Sequence, residues 1–219
     1  MLDRIPEHEC MDTPEEAREY AAMDHSQANL AFVEALEKHD CLRGDLLDLG
    51  TGPGDIPLLL AERHEKISVT GIDLSKEMLK IARLKVAQAG HSRRIRLIEA
   101  DAKKTAFGDN TFDGVFSNTI LHHVSEPVQF LAEARRVLKD KGALVIRDLM
   151  RPETKRELVK IVQTYAGDAT DRQQELFRES LYSAYTIDEV REQCREAGLA
   201  DATIESSSDR HLTIWLEPR

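Results

Sequence analysis

Across residues 45–149 the chain alternates short apolar runs with longer helical patterns, and few folds accept that alternation. The runs are DLLDLG, ISVTGID, IRLIEA, FDGVFSN and GALVIRDL. Helical patterns fill 55–64, 75–89 (closed by Gly90) and 126–138. Strands this apolar, alternating with helices, belong to a parallel sheet covered on both faces. Right-handed crossovers then make the sheet doubly wound, an α/β fold.

The flanks are helical. Residues 13–39 read as one helix, opened by the hydroxyl cap Thr13, then Pro14, Glu15 and Glu16. After Arg151 three helical patterns follow without a strand, at 153–165, 171–181 and 187–197; Thr186 caps the last and Gly198 stops it. The end, ATIESSSDRHLTIWLEPR, reads as an antiparallel hairpin. The 219 residues form one domain on this reading: a helical cap (1–40), a core (41–150), a helical insert (151–186), and a final helix with its hairpin (187–219). Such a chain buries a core large enough to need no staple. The three cysteines, Cys10, Cys41 and Cys194, are odd in number and far apart, which suits a reducing cytoplasm better than a disulfide framework. No signal-like start or membrane-length apolar run is present, so a cytoplasmic location is expected. The net charge of −10 opposes nucleic-acid binding, and the one basic cluster, HSRRIR, is too small to reverse that.

The first run leads into LLDLGTGPGD, with Gly50, Gly52 and Gly54 on alternate positions. The dinucleotide fingerprint is G-x-G-x-x-G, and Asp55 stands where its third glycine would fall. A carboxylate in the first turn of that helix has the wrong sign for a pyrophosphate. Bare backbone still admits a ligand closely, and a cationic or zwitterionic one fits better. The second strand ends at Asp73, placed to accept the two hydroxyls of a ribose; Ser75 is the better helix cap, which leaves Asp73 free. The third strand leads to Asp101 and the small Ala102, an acid for an amino group beside room for a ring.

Taken together, LLDLGTGPGD, GIDLS, EADAKKTAFGDNTFDGVFSNTILHHV and EARRVLKDKGALVI resemble the class I S-adenosylmethionine-dependent methyltransferases. The similarity is strongest to the small-molecule branch typified by ubiquinone- and menaquinone-biosynthesis methyltransferases. The resemblance implies a Rossmann-like seven-stranded sheet in the order 3-2-1-4-5-7-6 with its final strand antiparallel. It implies S-adenosylmethionine as cofactor and S-adenosylhomocysteine as product. By the same resemblance Asp48, Gly50, Thr51, Gly52 and Gly54 border the methionine part. Asp73 takes the ribose and Asp101 with Ala102 the adenine, while Leu74 and Asn118 are further cofactor-binding residues.

Methyl transfer from a sulfonium chiefly needs alignment of donor and acceptor. A base is required only where the acceptor must lose a proton. Candidates for catalysis are Asn118, His122 and His123 after the fourth strand, the histidines serving either as base or as a packing pair. Arg147 and Asp148, adjacent in a strand, point to opposite faces. Arg147 or Arg151 is placed to clamp a substrate carboxylate, or to pair with a neighbouring helix. Asn118 and Asp148 lack the remaining ligands of a catechol-type magnesium site, so no metal is expected. Tyr20, His25 and Tyr182, from the cap and the insert, are the candidates for contact with a small-molecule acceptor. Three other readings remain: a protein that binds the cofactor without turnover, one that uses a carboxylated cofactor for different chemistry, and an NAD-dependent oxidoreductase.

Overall fold

The computed structural model describes residues 2–7 and 13–218. Seven strands form one sheet: β1 (Asp45–Leu49), β2 (Ser68–Asp73), β3 (Ile95–Glu99), β4 (Phe112–Asn118), β5 (Leu138–Leu149), β6 (Thr203–Ser206) and β7 (His211–Leu216). Their order is β3-β2-β1-β4-β5-β7-β6, as the resemblance implied. The first five strands are mutually parallel, and β7 runs antiparallel to both β5 and β6. Strand order reverses at β1, between β2 and β4, and the carboxyl ends there leave the crevice in which open α/β sheets bind ligands.

Alternation along the strands sends apolar side chains to both faces. Leu46 and Phe116 pack with Phe32, Val33 and Leu36 of α2 (Ser26–Lys38) and Leu60 of α3 (Asp55–Arg63). Leu47 and Val115 face the other way, toward Phe130, Leu131 and Ala134 of α5 (Pro127–Val137) and Val190 and Cys194 of α8 (Ile187–Glu196). α4 (Lys76–Gln88) brings Val86 to Ala61 and Ile95. α6 (Lys155–Ala166) and α7 (Asp171–Ser183) share a smaller core of Leu158, Ile161, Val162 and Leu181, seated on Leu149 at the end of β5. Thr154, Thr170 and Thr186 start α6, α7 and α8 with capping boxes, which explains why three helices follow one another without a strand.

The first helical segment departs from expectation. It is two helices, α1 (Pro14–Ala21) and α2, and the chain turns between them. There Met23 N donates to Tyr20 O and Ser26 N to the Asp24 carboxylate; a short acid bonding forward to backbone competes with helix continuation. The turn faces the crevice. Cys41 and Cys194 are buried free thiols, and burial pushes both up to about 12; Cys10 lies outside the described residues. Among the described residues no helix is long and apolar enough to cross a membrane.

Candidate active site

The glycine loop runs from the end of β1 into α3, and each glycine has a different reason to lack a side chain. Gly50 has φ +77°, and a Cβ there would lie 2.6 Å from the Ile120 side chain. Gly54 has φ +80°, and its Cβ would meet Ala82 Cβ at 3.0 Å, so this glycine permits the close approach of α3 to α4. Gly52 has φ +53° with nothing within 4 Å of a Cβ. It borders a cavity of about 1150 Å³ that reaches from this loop to α7. Asp55, which replaces the third fingerprint glycine, pairs with Lys85 Nζ at 2.6 Å.

Asp48 sits under the loop at 2 % exposure, and its Oδ2 is buried without a hydrogen-bond partner. Thr51 Oγ1 is buried and unpartnered as well. Burial pushes the Asp48 carboxyl up to about 7; the neighbouring Thr51 hydroxyl opposes that and the charge of Asp73 adds to it. Orphaned polar atoms of this kind are costly unless a ligand satisfies them. Asp73 is not free, contrary to expectation. Its Oδ2 accepts from Gly52 N and its Oδ1 from Ser75 N, both at 2.8 Å, while Ser75 caps α4 through Met78 N. Burial raises the Asp73 carboxyl despite those backbone donors. A carboxylate has about four acceptor positions, so beside its backbone neighbours Gly52, Leu74 and Ser75, Asp73 keeps acceptor capacity for a further donor. Leu74, Asp101, Ala102 and Asn118 also line the cavity. The set fits S-adenosylmethionine: unpartnered acceptors for a cation, open space over Gly52, and acids at successive strand ends.

Beyond Asn118 the backbone is strained. Thr119 has φ +62°, an unusual conformation for a β-branched residue, and its N–H is held by Arg147 O at 2.8 Å. This turn seats Ile120 over Gly50 and directs a short 3-10 turn, Leu121–His123, into the protein. His122 is 1 % exposed, with Nδ1 2.5 Å from Asp148 Oδ1; Leu121 N donates to Asp148 Oδ2 at 2.5 Å. Desolvation opposes a charge on His122, but Asp148 and Glu7 outweigh it and raise its pKa to about 9.

Arg147 and Arg151 stand apart from the cavity lining, which corrects their expected role as substrate clamps. Arg147 Nε donates to Asn118 Oδ1 at 2.9 Å and its Nη2 to Ala28 O at 2.6 Å, with the guanidinium 4.9 Å over the Phe32 ring. Arg151 is buried, bonded to Ala184 O and paired with Glu189 at 2.7 Å. Both charges are spent holding α2, α7 and α8 to the sheet. Asn118 and Asp148, considered above for magnesium, are engaged by Arg147 and His122 respectively.

Tyr20, His25 and Tyr182 do line the cavity. Tyr20 and His25 rings lie 4.9 Å apart; burial pushes the phenol up to about 12 and the imidazole below its usual value. His25 Nε2 is buried without a partner. Residues absent from the sequence reading complete the wall: Glu7, Arg210 and His211. The Arg210 guanidinium lies 3.3 Å over the Tyr165 ring and so joins the closing hairpin to α6. No local motif marks these residues.

Comparison with known proteins places this geometry. A family model described as "Methyltransferase domain" matches residues 47–146. Demethylmenaquinone methyltransferase of Shouchella clausii is 33% identical over 170 residues, 73% of this chain and 72% of that protein. The enzyme of the same name from Thermotoga maritima is 38% identical over 120 residues, 55% of this chain and 50% of that protein. The chain thus spans about half the length of several curated relatives it matches. A SAM-dependent methyltransferase crystal structure from Aquifex aeolicus superposes with TM-score 0.69 at 24% identity, covering 94% of this chain and 98% of that one.

Proposed function

Because the chain belongs to the class I S-adenosylmethionine-dependent methyltransferases, we propose that it moves the methyl group of that cofactor onto a small molecule held in the same cavity. The observation that carries this reading is the continuity of that cavity. It joins the unpartnered Asp48 and Thr51 beneath the glycine loop to the walls formed by Tyr20, His25, Phe177 and Tyr182. When bound, S-adenosylmethionine supplies a methyl carbon on a sulfonium, activated for in-line attack.

The protein's part is to bind, orient and exclude water. Asp48 and the loop backbone receive the methionine end, Asp73 the ribose, and Asp101 with Ala102 and Leu74 the adenine. Asn118, fixed by Arg147, lines the same cavity. Holding donor and acceptor in line is worth ~7–11 kcal/mol of barrier, enough for much of the catalysis without a dedicated base. The names of the curated relatives favour a ring acceptor of quinone-precursor type, and the aromatic wall suits a flat ring.

The first test is a calorimetric titration with S-adenosylhomocysteine, NADH serving as control, followed by transfer of labelled methyl to a panel of acceptors. Binding of S-adenosylhomocysteine with label transfer is expected. Binding without transfer to any acceptor would favour a cofactor-holding protein, and NADH binding alone would overturn the reading. The pH dependence is set by Asp48. Its carboxyl in the free protein is raised to about 7, and the ammonium that the ligand carries favours the ionised form. Below that pH a proton must leave before the charge pair forms, so affinity should fall about tenfold per unit as pH drops and level off above it. Asp48→Asn should flatten the profile; a wild-type profile without slope would remove Asp48 from the methionine end.

A further inference from the structure

The chain before α1 is tied down ahead of Glu7. Arg4 donates from Nε to Ser183 O at 2.7 Å and from Nη2 to His122 O at 3.0 Å, and its guanidinium lies 4.0 Å over the Tyr185 ring. Ile5 N donates to Tyr182 O at 3.1 Å. Ser183 Oγ accepts from Glu7 N at 3.3 Å and donates to His122 O at 2.6 Å, so one hydroxyl registers Glu7 against the histidine turn.

This strap places Glu7 Oε1 3.2 Å from His122 Nε2 and 3.2 Å from His123 Nδ1. The oxygen is buried, and the two imidazoles are its neighbours. The three ligand atoms lie within 4.8 Å of one another, and all three residues line the cavity. Charge-assisted N–H···O bonds are normally ~2.7–2.9 Å, shorter than either contact. Two N or O donors ~2.0–2.2 Å from one tetrahedral metal stand about 3.3 Å apart, which matches both. On the far side of His122, Asp148 Oδ1 lies 2.5 Å from Nδ1. A carboxylate in that position holds one ring proton at Nδ1, so a metal that displaces the other would take Nε2, the usual arrangement of a metal-bound histidine with its outer support.

We propose that Glu7 Oε1, His122 Nε2 and His123 Nδ1 bind one divalent transition-metal ion of the zinc class, with Asp148 orienting His122 and a further coordination position open to the cavity. Two imidazoles and a carboxylate form a nitrogen-rich set that favours such an ion over calcium or magnesium. The site is distinct from the Asn118–Asp148 set that sequence considered for magnesium. Its use rests on the methyl-transfer reading: an acceptor hydroxyl entering the open position would lose its proton to solvent and be held as the nucleophile. The metal site itself does not depend on that reading.

The test is a titration of the tag-free, chelator-treated full chain with Zn²⁺ alone, with Co²⁺ as a spectroscopic probe. Expected are one equivalent bound and a visible tetrahedral cobalt band. Glu7→Gln and His123→Ala should each weaken Zn²⁺ at least tenfold and abolish the band, while the metal-free melting midpoints report whether each variant is folded. No stoichiometric binding, or affinity unchanged in both folded variants, would overturn the site. A parallel S-adenosylhomocysteine titration separates the two proposals. Cofactor binding without zinc overturns only the metal site; zinc binding without the cofactor supports the metal site and overturns the cofactor reading.

Discussion

Replacing Asp148 by alanine should cost about 3–5 kcal/mol of stability and lower the melting midpoint by roughly 6–20 °C. The side chain is 2 % exposed, and its two oxygens serve three groups. Oδ2 accepts from Leu121 N, and Oδ1 meets His122 Nδ1 and accepts from Leu149 N at 2.6 Å. Alanine would leave His122, itself 1 % exposed, and the Leu121 N–H without their partner inside the protein. Each buried donor so stranded costs ~1–3 kcal/mol, and the cavity left by the carboxylate adds to that. Asp148→Asn retains the shape and one acceptor, and should lose less. Chemical denaturation of the two variants checks this order. A loss below about 1 kcal/mol for the alanine variant would mean that the buried pair does not hold the histidine turn.

How much of this was legible in the sequence depends on how far apart the contributing residues lie. The glycine loop, Asp73 and Asp101 are found because each ends a strand within a few residues of its own signal, and the sheet then brings the strand ends together. The same logic placed Arg147 and Asp148 on opposite faces, and they do face opposite partners, Asn118 and His122. It left the function of Arg147 and Arg151 open, because a charge at a strand end looks the same whether it awaits a substrate or ties down a helix. The break in the first helix carried a weak signal, Asp24 followed by Ser26, which the strong opening at Thr13 obscured. Glu7 carried none. It reaches His122 only because Arg4 and Ser183 pin the chain before it, and no pattern within a window of ten or twenty residues encodes that contact. Arg210 and His211 are of the same kind, in a hairpin whose alternation reports the sheet but not what its turn overhangs.

Asp73→Ala should raise the dissociation constant for S-adenosylhomocysteine by about 10²–10⁴, the largest loss expected of any single change on the cofactor side. Two charge-assisted hydrogen bonds to the ribose contribute on the order of 1.5–3 kcal/mol each, and tenfold in affinity is about 1.4 kcal/mol. Asp73 also accepts from Gly52 N, so the loop itself loses a tether when the carboxylate is removed. The two roles are separable. A tether alone predicts a lower melting midpoint of the ligand-free protein with a modest change in affinity, because Gly50 N and Thr51 N still hold the loop to Ile72 O. Ribose binding predicts the large affinity loss even where the ligand-free protein melts near the parent. Asp73→Asn, which retains one acceptor oxygen and gives up the charge, should fall between. Calorimetric titration beside thermal melting decides the matter: unchanged affinity in Asp73→Ala would sink the ribose assignment and leave Asp73 as a clamp on the glycine loop.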